Sequence, residues 1–264
     1  MSKCYMCDND AVSVEHVPPL CLFPEMKDTG EINFRKNLIT VPSCDLHNSK
    51  KSDDDEFLML SLSGLMKNNP VGQFHQLIKG NRAIKRKNKK FIEKQILRNH
   101  RLQKIKTPDN NFRMISVGNP NFERLSDSFR HIAYGMYFHE FKKRFEGKID
   151  MLFEFLEYTD DNIQTLKTFL KKRFLVENKL NKEIQGDNPA VFYYQFHEPD
   201  EFGLIALKMV FYGTAEVYLS FASTDSKEPF DLTWKFIESG INTTLNLGDE
   251  NFIFNKYSTT NTSK

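Results

Sequence analysis

The sequence predicts an α+β protein: an N-terminal metal-binding segment, a basic helical connector, and a C-terminal α+β domain with antiparallel strands. Three observations carry that prediction. All four cysteines of the 264-residue chain lie within its first 44 positions, as Cys4-x-x-Cys7, a separate Cys21, and Cys44-x-x-His47. Twelve lysines and arginines crowd residues 79–106 against the single acid Glu93. Residues 191–197, 204–212 and 215–222 are short runs rich in aromatic and β-branched side chains, with Gly213-Thr214 between the last two, which is the pattern of a β-meander.

Taken in order, residues 11–17 (Ala-Val-Ser-Val-Glu-His-Val) alternate well enough for a short strand. Pro18-Pro19 stop it and put a bend beside His16. Side chains alternate faces along a strand, so Glu15 and His16 share a target only through such a bend. Residues 20–36 read as a loop, and 37–41 as a second strand stopped by Pro42. A helix is expected from about Cys44, with His47 and Asn48 about 100° apart around its axis. Ser52-Asp53-Asp54-Asp55 carries the start signal of a further helix running toward Met66.

In the basic run, Ile84, Phe91, Ile92, Ile96 and Leu102 recur at helical spacing, which implies one buried stripe with cations outside. Beyond Pro108 the chain becomes aromatic. A helix is expected over 121–145, a strand over 148–158, another helix over 160–174, and then the meander. The domain ranges that result are 1–68, 69–108 and 109–257, with a polar disordered tail at 258–264.

Composition narrows the setting. A chain this long buries a sizeable core without disulfides. Cysteines confined to one segment at ligand spacing imply reduced thiolates and a cytoplasmic location. Cys21, outside either pair, reads as a small buried apolar residue. No signal peptide and no apolar run near twenty residues is present, so no membrane partner is expected. The net charge of +2 says little, but the concentration of cations does.

Two metal chemistries interleave in the first fifty residues. Cys4, Cys7, Cys44 and His47 form a soft set suited to a closed tetrahedral Zn2+ site, structural because four protein ligands leave no open position. Glu15, His16 and Asn48 offer the oxygen and imidazole donors suited to Mg2+ or Mn2+. In this order (Cys4/Cys7, Glu15-His16-x-Pro18, Asn37, Cys44-x-x-His47-Asn48-x-x-Lys51) the segment resembles the HNH endonucleases of the ββα-metal, or His-Me finger, fold. It departs from them in Glu for the commoner Asp and in His47 for the usual last Cys. The resemblance covers roughly the first fifth of the chain.

The resemblance implies a metal-dependent endonuclease hydrolysing phosphodiester bonds, on DNA more often than RNA, with a role in phage defence or mobile-element biology. It implies His16 as general base, Asn37 orienting it, one divalent ion on Glu15 and Asn48, and Lys51 at a phosphate. Lys85, Arg86, Lys87, Lys89 and Lys90 are candidate nucleic-acid contacts. Double-strand cleavage by a single such site would call for a homodimer or two nicks. Two other readings stay open: a zinc-containing nucleic-acid-binding module without hydrolysis, and a nuclease gated by a ligand or regulatory partner at the C-terminal domain. A weaker likeness of residues 130–145 to a stretch in uncharacterised bacterial HNH proteins adds Arg130, His131 and His139 as contact candidates.

Overall fold

The computed structural model describes residues 2–48, 52–106, 110–178, 184–200, 203–224 and 229–255. Lys51 and the tail 258–264 lie outside the described residues. The fold is mixed α+β with antiparallel sheets, in two compact units: residues 1–146, 185–194 and 209–216 form one, and 147–184, 195–208 and 217–264 the other. Residues 112–146, read from sequence as the start of the C-terminal domain, cluster with the N-terminal segment.

The first unit begins with a hairpin of β1 (Ser13–His16) and β2 (Thr40–Ser43), paired in register from Ser13 opposite Ser43 to His16 opposite Thr40. The second strand starts three residues later than its sequence suggests, because Asn37 takes a left-handed φ of 52° that a strand does not accept. Pro42 does not stop β2 but lies inside it, as proline can in a two-stranded sheet where one edge is unladdered. The loop between the strands holds a 3-10 turn at Leu20–Leu22 and the one-turn helix α1 (Met26–Thr29). A second single turn, α2 (Asp45–Asn48), follows β2 directly, so the segment is ββα-like.

Helix α3 (Ser52–Ser63) is buried along 57–63, Phe57 through Ser63, as befits a helix apolar on all sides in its second half. Helices α4 (Pro70–His75) and α5 (Asn81–Arg86) are joined through a wide turn at Gln76–Gly80. Asn69 caps α4 by accepting from the Gly72 N–H at 3.0 Å. The short α6 (Lys89–Phe91) runs into another wide turn, Ile92–Ile96.

From there the structure departs from the helical connector. Arg98–Lys106 is not helical but a strand, β3, paired with β4 (Phe112–Asn119) in an antiparallel ribbon. Leu102, counted in the helical stripe, is exposed on it. Helix α7 (Phe122–Phe141) closes the unit and buries Leu125, Phe129, Ile132, Ala133 and Met136, the i, i+4, i+7 stripe of an amphipathic helix. At Gly135 it comes so close to the end of β1 that an added Cβ would lie 2.6 Å from Val17 Cγ2.

Strand β5 (Gly147–Phe153) pairs with β9 (Ala215–Ser223). A five-stranded sheet has the order β5-β9-β8-β7-β6; β7 (Phe192–Phe196), β8 (Ile205–Phe211) and β9 are the expected meander, and β6 (Gln185–Asn188) is an edge strand that the sequence pattern does not announce. Helix α8 (Asp161–Asn178) lays Phe169 edge-on to Phe252, ring centroids 5.2 Å apart. Phe252 belongs to a terminal hairpin of β10 (Thr243–Leu247) and β11 (Glu250–Phe254), which follows α9 (Pro229–Glu238). Asn162 and Asn255 clamp this hairpin to the start of α8 through a reciprocal pair of hydrogen bonds of 2.9 and 2.7 Å. Among the described residues no helix is long and apolar enough to cross a membrane.

Candidate metal centre and the adjoining cleft

The two soft pairs, forty residues apart in sequence, converge. One ligand atom from each of Cys4, Cys7, Cys44 and His47 lies within 4.8 Å of every other. A tight N-terminal turn, with Cys4 N–H on Asn9 O at 2.9 Å, presents the first pair; the start of α2 presents the second. Tyr5 N–H on Pro42 O at 2.9 Å holds that turn to β2.

The distances are those a metal needs. Bonds of about 2.3 Å to sulfur and 2.0–2.1 Å to nitrogen give a tetrahedron with edges of about 3.8 Å (S···S) and about 3.5 Å (S···N). Cys7 and Cys44 sulfurs are 3.7 Å apart, and His47 Nδ1 is 3.4, 3.6 and 3.3 Å from the sulfurs of Cys4, Cys7 and Cys44. The donor set therefore fits Zn2+, bound through Nδ1 of His47. Burial alone would raise the Cys44 thiol. The His47 backbone N–H and the neighbouring thiols outweigh it, holding Cys44 down at about 6, where a thiolate ligand is available at neutral pH. Cys21 stands apart from the cluster, as expected: its thiol donates to the Asp55 carbonyl, and burial pushes it up to about 12.

The hard donors are differently disposed. Glu15 Oε2 accepts from the Tyr5 hydroxyl at 3.1 Å and from Ser43 Oγ at 3.3 Å. Tyr5 is fully buried, and burial together with the Glu15 carboxylate pushes its phenol well above the ordinary value. Asn48 is exposed and donates to Ser13 Oγ at 2.8 Å. Glu15 and Asn48 have the right chemistry for Mg2+ or Mn2+, but each is turned to a partner within the hairpin, so the pair is not preassembled around an ion. Among the described residues no hydrogen bond joins Asn37 to His16; Asn37 is exposed in the turn that feeds β2.

His16 instead faces a small cleft. Its walls are the end of β1 with Glu15 and His16, the first turns of α3 with Asp54 and Asp55, and α7 with Asp127 and His131. The space is about 40 Å³, enough for two or three waters at about 10–15 Å³ each. His131 Nδ1–H donates to the Asp127 carbonyl at 2.9 Å, and its ring lies 6.4 Å from that of His47 in the metal-ligating cluster. Asp54 also pairs with Arg124 at 2.6 Å. The aspartates were legible only as a helix-start signal, and α7 as a helix; nothing in sequence placed either opposite His16.

The basic residues divide. Lys87 pairs with Asp53 and Glu56, Arg86 with Glu56, and Lys89 with Glu93. Lys85 and Lys90 are exposed and carry no ion pair among the described residues. Arg130 pairs with Asp127 one turn away, and His139 is part-buried, which holds it below the ordinary imidazole value. No protein-family model, curated protein or solved structure matches this chain.

Proposed function

We propose that the first unit is a zinc-stapled endonuclease of the ββα-metal kind that hydrolyses phosphodiester bonds of DNA. The observation that carries this reading is the position of His16. It sits at the loop end of the β1–β2 hairpin, whose open end borders the Cys4/Cys7/Cys44/His47 cluster, and it faces a cleft with room for a few waters. The zinc has a structural part: it ties the N-terminal turn to a helix, α2, that is too short to be stable alone.

His16 acts as general base, the role for which imidazole is the most commonly used side chain. It takes a proton from a water in the cleft; the water oxygen bonds to phosphorus, the bond to the 3′ oxygen breaks, and that oxygen leaves as a hydroxyl after taking a proton from solvent water. The side chain of His131 bounds the same space from α7 and limits how the phosphate enters. A divalent ion, offered ligands by Glu15 and Asn48, would neutralise phosphate charge there. The need is electrostatic: Glu15, Asp54, Asp55 and Asp127 make the cleft repel a bare phosphodiester.

The engagement of Glu15 by Tyr5 and Ser43 favours a second reading, a zinc-containing nucleic-acid-binding module without hydrolysis. One experiment separates them. Zinc-loaded wild type and His16→Ala, matched in zinc content, are incubated with supercoiled plasmid and Mg2+ or Mn2+. Nicking by wild type alone, abolished by a chelator of the hard ion, supports the nuclease. A mobility shift without nicking moves the assignment to the binding module, and equal cleavage by both proteins removes His16 from the mechanism.

A further inference from the structure

We propose that the β3–β4 ribbon is a duplex-DNA contact element that lies in a groove. The inference deepens the nucleic-acid part of the reading above and rests on it for the substrate class. Its basis is a surface the sequence reading had folded into a helix.

The ribbon pairs Arg101 with Val117, Leu102 with Ser116, Gln103 with Ile115, Lys104 with Met114, Ile105 with Arg113 and Lys106 with Phe112. Directly opposed residues share a face. One face thus carries Leu102, Ser116, Lys104, Met114, Lys106 and Phe112, and all six are exposed, Leu102 at 69% and Phe112 at 61%. The other carries Arg101 and Arg113 around the half-buried Ile105, Ile115 and Val117. The solvated face of a hairpin is ordinarily polar; here the open face carries Leu102, Phe112 and Met114 beside Lys104 and Lys106.

Charge selects the occupant. β3 and β4 hold Arg98, Arg101, Lys104, Lys106 and Arg113 and no acidic residue. A second copy of so cationic an element would repel the first, whereas a phosphate backbone complements it. Dimensions agree: a nine-residue strand spans about 30 Å, and a two-stranded ribbon fits a major groove about 12 Å wide. Lys104 stacks its ammonium 4.3 Å from the Phe112 ring, so cation and apolar surface are presented together, a match for phosphate beside sugar and thymine methyl. At the root, a bulge between Arg98 and Arg101, with Asn99 at φ 51°, sharpens the twist, and Gly118 lets the strands approach where a Cβ would meet Arg98 O at 2.8 Å.

The test uses full-length, zinc-loaded protein carrying His16→Ala, so that substrate is not consumed. Fluorescence anisotropy measures binding to a 20-bp duplex and to either single strand between about 50 and 200 mM salt. The comparison is with the same protein carrying Arg101→Gln, Lys104→Gln, Lys106→Gln and Arg113→Gln, its fold checked by thermal unfolding. The expected result is a loss of at least about tenfold in duplex affinity. The log-log salt slope should become shallower by about 0.9 for each phosphate contact removed. In the protein with an intact ribbon, duplex should also protect Lys104 and Lys106 from acetylation, a readout that needs no ribbon variant. Unchanged affinity and slope, absence of duplex binding, or no preference for duplex over single strand would each overturn the proposal. If the ribbon binds duplex as expected but wild type never cleaves, the nuclease reading falls while the ribbon assignment stands.

Discussion

Replacing Gly135 by alanine tests the contact that places His16. In the interior of an unobstructed helix that change is worth about 0.8–1.0 kcal/mol of added stability. Here the new Cβ would stand 2.6, 2.9 and 3.2 Å from Cγ2, Cγ1 and Cβ of Val17, against ordinary carbon–carbon contacts of about 3.5–4.0 Å. Val17 is buried at 2% exposure between β1 and the two prolines, and its branched side chain has little rotamer freedom. Helix and hairpin must therefore separate by most of an ångström, an overpacking cost of about 1–3 kcal/mol. After the propensity gain, a net loss of up to about 2 kcal/mol remains, a fall in midpoint of up to about 8 °C for a protein of this size. The same Gly135→Ala change made in a Val17→Ala background meets only the remaining Cβ, at 3.2 Å, which a shift of a few tenths of an ångström relieves, so it should destabilise less or turn stabilising. Urea and thermal unfolding of the four proteins in this cycle measure the coupling. Because Val17 adjoins His16, Gly135→Ala should also reduce turnover at unchanged zinc content. Stabilisation by Gly135→Ala in both backgrounds would refute the argument.

Two other predictions follow from the metal centre and the core. Zinc should be found at one per chain, and Cys4→Ser should lose it and destabilise the first unit by on the order of 3 kcal/mol or more; His16→Ala should stay within about 0.5 kcal/mol of wild type, and a His16→Ala protein that melted like Cys4→Ser would void the division of roles. His75 is buried, its Nε2–H donating to Cys21 O at 3.0 Å, and burial, aided by Lys79 and Arg35 against Asp28, lowers it from 6.5 to about 4. The unfolded chain then binds the proton first. His75 thus contributes stability that is full above about pH 6.5 and is lost as pH falls toward 4, by at most about 3 kcal/mol. Unfolding curves of wild type and His75→Gln should converge over that window, and parallel curves would count against it.

What the sequence disclosed and what it concealed have separate physical causes. Ligand pairs are local: Cys4 with Cys7 and Cys44 with His47 each fit within one turn, so spacing alone exposed them. The strands and helices of residues 121–222 were legible because each has one buried face and so a clear period. The β3–β4 ribbon hides for the opposite reason. Leu102 and Ile105 lie on opposite faces, so Arg101 to Lys106 has no apolar alternation, and Ile84 and Leu102, five helical turns apart, fall at helical spacing by chance. The cleft was concealed because it is a meeting of distant segments: Gly135 is a poor helix residue in isolation and makes sense only beside Val17. The assignment of Glu15 to an ion likewise ignored Tyr5, whose buried hydroxyl needs an acceptor and finds it there.

The neighbouring rings of His47 and His131 would put an ion held by the cluster within one side chain of the cleft. Zn2+ is spectroscopically silent, but Co2+ enters the same kind of thiolate and imidazole tetrahedron and absorbs visible light with intensities sensitive to ligand geometry. A cobalt-loaded protein would therefore carry its own chromophore next to the cleft that the nuclease proposal assigns to a phosphate. Whatever enters and presses on His131 should register as a shift in colour, and occupancy of the cleft becomes readable without a labelled ligand, a cleavage product or a mutation.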